Sequence, residues 1–133
     1  MNFFKIRMSV ENGIMKAVFA DGTEMLFDTA AMREIHEGYL DGDTHECVLG
    51  IRGEHIDVAE TGLSVKIGLV EILGSETHLH VHMKDEEKEI IVNLRDRGNF
   101  KAEDQICLNF NERKIHLFDA KTTQSIMSNE IKK

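Results

Sequence analysis

The sequence has no proline, no tryptophan, one tyrosine and two cysteines. Cys47 and Cys107 are far apart and each lies in an apolar stretch, which predicts small core residues in a reducing compartment rather than a disulfide framework. No run approaches the roughly 20 consecutive apolar residues that a membrane-spanning helix needs. Residues 1–7 carry charge where a signal peptide would be apolar, so we expect a cytoplasmic protein. Nothing in the sequence explains the absence of proline.

Basic side chains are in the minority, with 16 lysines and arginines against 24 aspartates and glutamates and a formal charge of -8. Phosphate backbones and anionic lipid surfaces repel such a protein. A binder of single-stranded nucleic acid should carry a basic groove with interleaved aromatic residues, which this composition does not favour. A chain of 133 residues suits one domain with an apolar core. We therefore expect a protein partner.

The usual signatures of catalysis are also absent. The sequence contains no phosphate-binding loop G-x-x-x-x-G-K-[ST], no dinucleotide fingerprint G-x-G-x-x-G, no nucleophile elbow G-x-S-x-G and no H-E-x-x-H motif. We expect no catalytic residue and no bound cofactor in this chain, and no binding or hydrolysis of ATP.

Alternating apolar and polar residues predict strands in two groups. The first group is a three-strand meander that ends near Asp28, with turns at Asn12-Gly13 and Asp21-Gly22, dipeptides that favour tight hairpins. Apolar residues then recur at helical intervals, which predicts one short helix from Thr29 to Tyr39. A strand over 47–51 follows.

The second group follows a polar connection from Arg52 to Gly62. The apolar face changes side between Leu69 and Val70, which predicts a bulge or bend near Gly68. Further strands are predicted at 79–83, 90–94, 106–110 and 115–117. The first two of these are expected to form one hairpin and the last two a second hairpin. A mainly β fold of short antiparallel strands in two groups, with one short helix, is typical of a sandwich or small barrel.

Four motifs carry a resemblance to a known family. Residues 49–56, Leu-Gly-Ile-Arg-Gly-Glu-His-Ile, resemble an L-G-I-R-P-E-H motif, and Met-Asn-Phe at 1–3 resembles an opening M-N-F. Residues 70–77 resemble V-E-x-L-G-x-E-T, and His-Leu-Phe-Asp at 116–119 resembles a closing H-L-F-D. In this order the motifs resemble the C-terminal regulatory domain of ATP-binding subunits of carbohydrate ABC importers, of the maltose, multiple-sugar and glycerophosphate type.

The resemblance implies a transport-associated OB-like barrel, with one domain over 1–126 and a polar tail over 127–133. It also implies a parent subunit whose nucleotide-binding domain holds ATP and magnesium and is the ATPase. Regulatory domains of the family pair across a two-fold axis, contact the nucleotide-binding domain of their own subunit, and in some members receive a regulatory protein. Permease subunits would place the assembly at the inner face of the cell membrane.

One position departs from the family pattern. Gly53 replaces the proline of the motif, so a fixed φ becomes free. If the native angle is unchanged, the greater freedom of the unfolded chain costs about 0.4–1 kcal/mol. The sequence therefore predicts a looser loop here.

Seven residues are candidates for inter-domain or dimer contacts: Arg52, Glu54, His55, Val70, Glu71, Ile72 and Ile91. The first three are too close in sequence to surround a substrate, and they either fix where the chain leaves its strand or contact the nucleotide-binding domain. Glu71 interrupts an apolar strand, as a contact residue or as a simple edge residue.

His78, His80 and His82 form the strongest alternative site. Strand period places the three imidazoles on one face, and imidazole binds zinc or copper. Alternate positions of a strand stand about 7 Å apart, whereas nitrogens on one metal lie within roughly 3.5 Å of each other. We therefore favour an outward polar row over a metal site. The acidic turn at 85–87 similarly favours a solvated hairpin tip over a cation site.

Two functional predictions remain. Both faces of the segment Val65–Leu94 carry apolar residues, which predicts a homodimer through this segment because one face must cover the core. A small-anion-binding module is the alternative, and it needs cations such as Arg52 and Lys66 to converge on a pocket.

Overall fold

The computed structural model of the protein describes residues 1–84, 86–95 and 98–127. The chain divides into two compact units. The central unit comprises Met1–Asn2 and Arg52–Asn111, and the flanking unit comprises Phe3–Ile51 and the residues from Glu112 onward.

Ten strands are present in the described residues. They are β1 (Asn2–Glu11), β2 (Ile14–Phe19), β3 (Glu24–Asp28), β4 (His45–Ile51), β5 (Ile56–Ala59), β6 (Leu63–Leu73), β7 (Glu76–Met83), β8 (Ile90–Leu94), β9 (Gln105–Phe110) and β10 (His116–Asp119). They form two five-stranded sheets, in the orders β10-β4-β1-β2-β3 and β5-β9-β6-β7-β8. The prediction of a mainly β, OB-like fold with strands in two groups is confirmed.

The flanking unit contains the predicted meander. β1 pairs antiparallel with β2, and β2 with β3. Asn12 and Gly13 both have positive φ, at 53° and 76°, as a type I′ turn requires. Along β1, four alternate residues are buried: Phe4, Ile6, Met8 and Val10. The period of two in the sequence therefore places one face of this sheet in the core.

In the central unit, β6 pairs with both β7 and β9. The register of β6 with β7 shifts between Ile67 and Leu69, so Gly68 is an extra residue in β6. The predicted bulge is confirmed. Ile67 before the bulge is buried, whereas Leu69 after it is exposed.

The predicted helix from Thr29 to Tyr39 is wrong. The segment contains only two single 3₁₀ turns, Thr29–Ala31 and Glu37–Tyr39, each started by a side chain that accepts a backbone N–H. Between these turns, Ile35 forms a β-bridge with Met127, and His36 N–H donates to the carbonyl of Ile126. Residues distant in sequence therefore take the hydrogen bonds that a helix would make locally.

Two strand predictions also need correction. The residues of β9 and β10 do not form a hairpin, because β9 pairs with β5 and β6 while β10 pairs with β4. The connection from Arg52 to Gly62 is not irregular throughout, because it contains β5. β5 is a short edge strand of four residues within this otherwise polar segment, and its Ile56 is buried.

Both cysteines are free, with Cys47 buried and Cys107 half-buried. Burial raises the pKa of the Cys47 thiol to about 11. None of the helical turns in the described ranges has the length and apolarity that a membrane-spanning helix needs. The predicted single domain over 1–126 stays a prediction. Of the predicted tail, Met127 is buried, and residues 128–133 lie outside the described residues.

Asp119, at the end of the His-Leu-Phe-Asp motif, organises the turn that follows β10. Its Oδ1 accepts hydrogen bonds from the backbone N–H of Lys121 at 2.8 Å and of Thr122 at 2.9 Å. Its Oδ2 accepts the Tyr39 hydroxyl at 2.8 Å. The bond from the Thr122 backbone, followed by the Tyr39 hydroxyl, lowers the pKa of Asp119 to about 2.

We predict that Asp119→Asn is destabilising at neutral pH and that the difference from the native protein shrinks in acid. A depressed folded pKa gives stability that is present above the unfolded value of about 3.9 and lost as pH falls towards about 2. Urea midpoints measured across this range test the prediction. Asp57→Asn, in an exposed position on β5, is the control. A stability difference between Asp119→Asn and the native protein that stays constant with pH would contradict the prediction.

Candidate interaction surface

The three strands β6, β7 and β8 present one continuous face away from the buried residues of their sheet. The pairing brings Leu69, His80 and Ile91 directly opposite one another, and it brings Glu71, His78 and Asn93 into the next row. We call this the outer face, and it carries Lys66, Leu69, Glu71, Leu73, His78, His80, His82, Ile91 and Asn93.

Apolar side chains on the outer face are exposed. Leu69 is 52% exposed, Leu73 is 50% exposed and Ile91 is 36% exposed. The bulge at Gly68 places Leu69 and Leu73 on this face, because it moves the residues that follow it to the side opposite the buried Ile67. Exposed apolar side chains that share one face of a sheet are a feature of interaction surfaces.

His80 lies between Leu69 of β6 and Ile91 of β8 and contacts two carboxylates. Its Nδ1 lies 2.9 Å from Oε1 of Glu89, and its Nε2 contacts Oε1 of Glu71. The hydrogen bond with Glu89, followed by the one with Glu71, raises the pKa of His80, while partial burial opposes the rise. Glu71 is therefore a hydrogen-bond partner of the histidine row, and its part in an inter-domain or inter-subunit contact stays a prediction.

The other two histidines share this face, as their spacing predicts. They alternate with four buried residues of β7: Thr77, Leu79, Val81 and Met83. His78 Nε2 is buried without a hydrogen-bond partner in the described part of the chain. Within 1–84, 86–95 and 98–127, no group of three or more His, Cys, Asp or Glu residues is arranged to hold a metal. The expectation that this chain binds no zinc stays a prediction.

The open edge of β8 is closed by the Met-Asn-Phe motif. Asn2 Nδ2 donates to the carbonyl of Ile91 at 2.9 Å, and Ile91 N–H donates to Asn2 Oδ1 at 3.0 Å. The amide thereby satisfies both backbone groups of Ile91 that face away from β7. An edge strand covered in this way is protected from pairing with another chain.

Gly53 approaches the same strand. A β-carbon added at Gly53 would overlap the carbonyl oxygen of Ile91 and would lie 2.8 Å from Oδ1 of Asn93. The structure thus supplies a reason for glycine where the family has proline, namely contact with the backbone of β8. The looser loop expected from the sequence stays a prediction.

The structure brings some of the candidate contact residues together and separates others. Arg52 precedes the 3₁₀ turn Gly53–His55 that packs beside β8, and its Nη1 lies 3.8 Å from Oε1 of Glu54, both side chains being exposed. His55 in this turn is half-buried. The turn lies near Ile91, and whether its residues fix where the chain leaves β4 or contact another domain stays a prediction.

Val70 and Ile72 lie on the opposite side of β6 from Glu71. They stand opposite the buried residues Leu79 and Thr77, and Val70 is half-buried while Ile72 is exposed. Ile91 is on the outer face with Glu71. Of the predicted acidic turn, Glu86 and Glu87 are exposed, and Asp85 lies outside the described residues.

Four residues important to this surface were not selected from the sequence: Asn2, Leu69, Leu73 and Glu89. Leu69 and Leu73 follow from the bulge once their positions are counted from Gly68. No local pattern identifies Asn2 or Glu89, because their partners are 89 and 9 residues away along the chain.

The comparisons with known proteins agree with this fold. Residues 49–118 match the model of the TOBE domain family. The chain is 32% identical over 129 residues to the sulfoquinovosyl glycerol transport ATP-binding protein SmoE of Agrobacterium fabrum, covering 95% of this chain and 33% of that protein. It is 27% identical over 130 residues to the oligosaccharides import ATP-binding protein MsmX of Bacillus subtilis, covering 92% of this chain and 33% of that protein.

A third relative is the maltose/maltodextrin import ATP-binding protein MalK of Vibrio cholerae, 32% identical over 73 residues that cover 53% of this chain and 20% of that protein. The chain therefore spans between 20% and 33% of the length of these relatives. Among solved structures, the cytoplasmic molybdate-binding protein ModG with molybdate bound has a TM-score of 0.65 at 10% identity, covering 87% of this chain and 94% of that chain. That likeness shows the OB-type fold.

We predict that Gly53→Ala lowers the free energy of unfolding by about 1–3 kcal/mol, because the added methyl group forces the turn away from β8. Gly68→Ala is the matched control, since its β-carbon would meet only the His80 carbonyl, at an ordinary 3.5 Å. Urea denaturation followed by circular dichroism measures both. Equal stabilities of the Gly53→Ala variant and the native protein would show that the close approach is unimportant.

Proposed function

The chain belongs to the TOBE domain family, and we propose that it is the regulatory, dimer-forming part of the ATP-binding subunit of a carbohydrate ABC importer. One observation carries the proposal: 95% of this chain aligns with SmoE at 32% identity. The further likeness to MsmX and to MalK, which are also import ATP-binding proteins, supports the same class of transporter.

The ATPase activity of the proposed parent subunit resides outside this chain. The relatives named above are ATP-binding proteins, and the chain corresponds to 33% of their length or less. A P-loop, which cradles nucleotide phosphates with backbone N–H groups and a lysine, is missing from this sequence. ATP and magnesium would therefore bind to the remaining part of the subunit, whose permease partners would keep it at the inner face of the membrane.

A direct test of this division is titration calorimetry of the chain with ATP and magnesium. We expect no heat of binding up to about 1 mM nucleotide, because the chain lacks the phosphate cradle. A site of micromolar affinity would contradict the proposal. A phosphate loop upstream of these residues in the same gene product would support the proposed parent subunit.

Within the proposed subunit, the outer face of the central unit is the surface on which two copies meet. Leu69, Leu73 and Ile91 offer exposed apolar area on three strands. A two-fold contact uses the same patch on both copies, so one surface is sufficient for pairing. The 3₁₀ turn of residues 53–55 is proposed to contact the nucleotide-binding domain, since Arg52 before the turn and Glu54 within it are exposed.

The small-anion alternative receives less support. Arg52 lies 3.8 Å from the carboxylate of Glu54, and Lys66 Nζ lies 2.7 Å from the carboxylate of Glu103. Both cations that such a pocket would use therefore already face an acidic group. ModG binds molybdate, but its likeness to this chain is one of fold.

We predict that Leu69→Glu weakens self-association at least about tenfold, which corresponds to about 1.4 kcal/mol, because it places a charge in each half of the apolar contact. Leu26→Glu is the matched control, since Leu26 is 67% exposed but lies on β3 of the flanking unit. Sedimentation equilibrium of both variants measures the change.

Two results would contradict the proposed contact. One is a strict monomer for the native chain at about 1 mM, a concentration at which even weak contacts are populated. The other is equal association of the Leu69→Glu variant and the native chain. Loss of association in Leu26→Glu alone would transfer the contact to the flanking unit.

A further inference from the structure

Both ring nitrogens of His80 contact carboxylates, so both must carry a proton for the two hydrogen bonds to form. A carboxylate only accepts hydrogen bonds, so each of its contacts with an imidazole needs a proton on the ring nitrogen. His80 contacts Glu89 through Nδ1 and Glu71 through Nε2. Both hydrogen bonds exist together only when the ring is an imidazolium.

The strands on either side of β7 place apolar and acidic side chains next to His80. On β6 it faces Leu69 and Glu71, and on β8 it faces Ile91. The other titratable groups nearby are His78 and His82, which lie on the same face of β7. Lys66 of β6, a cation on this face, stands opposite His82 and is paired with Glu103 at 2.7 Å.

We infer that His80 is a proton-controlled element of the outer face, and that its protonation favours the association of two copies through this face. The inference rests on the proposed self-association. With a charged ring, the cluster of Glu71, His80 and Glu89 has one net negative charge, and with a neutral ring it has two. The two copies would bring these clusters together, because Leu69 and Ile91 flank His80 directly.

Two physical effects both weaken the association of two copies when His80 loses its proton. Repulsion between like charges across the contact is greater when each cluster carries two negative charges. Loss of the ring proton also leaves one carboxylate without its hydrogen-bond donor, which makes burial of that carboxylate costly. A pKa raised above the ordinary histidine value means that association is strongest below about pH 6.5 and weakens as pH rises through the raised pKa.

Sedimentation equilibrium between about pH 6 and about pH 9 tests this inference. For the native chain we expect the association constant to fall at least about tenfold over this range. For His80→Gln, which cannot titrate, we expect a change of less than about twofold. His45→Gln is the matched control, because His45 pairs with Asp41 at 2.8 Å but lies in the flanking unit, and it should keep the native pH dependence.

A second variant and a second measurement keep the inference testable if the His80→Gln variant does not fold. Glu89→Gln changes only an exposed residue and should reduce the pH dependence of association. It should also lower the pKa of His80 that an NMR titration of the imidazole measures in the monomer. A native pH dependence in His80→Gln, or a native His80 titration in Glu89→Gln, would overturn the inference.

The outcomes also separate this inference from the proposed function. A dimer whose association constant is the same from about pH 6 to about pH 9 overturns the role of His80 but leaves the association intact. A monomer at every pH overturns both.

Discussion

The extra residue at Gly68 decides which side chains of β6 face the core and which face outward. Before the bulge, Val65 and Ile67 are buried, and after it Val70 takes the core side while Leu69 turns outward. A shift of one residue reverses the two faces of a strand because side chains alternate with a period of two. The outward position of Leu69 and Leu73 and the contact of Glu71 with His80 both depend on this reversal.

The outer face combines exposed apolar side chains with a cluster of charged side chains, which have opposite preferences for burial. Exposed apolar residues favour a partner, whereas a histidine between two carboxylates favours solvent. The structure accommodates both by placing the charged contacts beside the apolar residues, where each ring nitrogen of His80 has an acceptor. In the proposed dimer, the charge of this cluster would limit how tightly two copies associate.

The edge of β8 shows how motifs distant in sequence have a common purpose. Asn2 bonds both backbone groups of Ile91, and Gly53 packs against the carbonyl of the same residue. Asn2 and Gly53 therefore contact the same residue of one edge strand. Two of the four motifs by which the chain resembles the family therefore each contribute one residue that contacts the backbone of this edge strand.

The sequence alone was sufficient for features that depend on neighbouring residues. These include the Asn12-Gly13 turn, the alternation of the first meander, the bulge at Gly68 and the shared face of the three histidines. Local conformational preferences determine each of them. The four family motifs also led to the TOBE family, since motifs in a fixed order are specific where one alone is weak.

Only the tertiary structure decided the remaining features. Helical spacing from Thr29 to Tyr39 did not produce a helix, because Ile35 and His36 bond to residues 126 and 127 instead of to the next turn. β9 and β10 are close in sequence but join different sheets, so no hairpin forms. The partners of Asn2 and His80 are likewise set by which strands pair. Hydrogen bonds between distant segments depend on the whole topology, and no local pattern of residues encodes them.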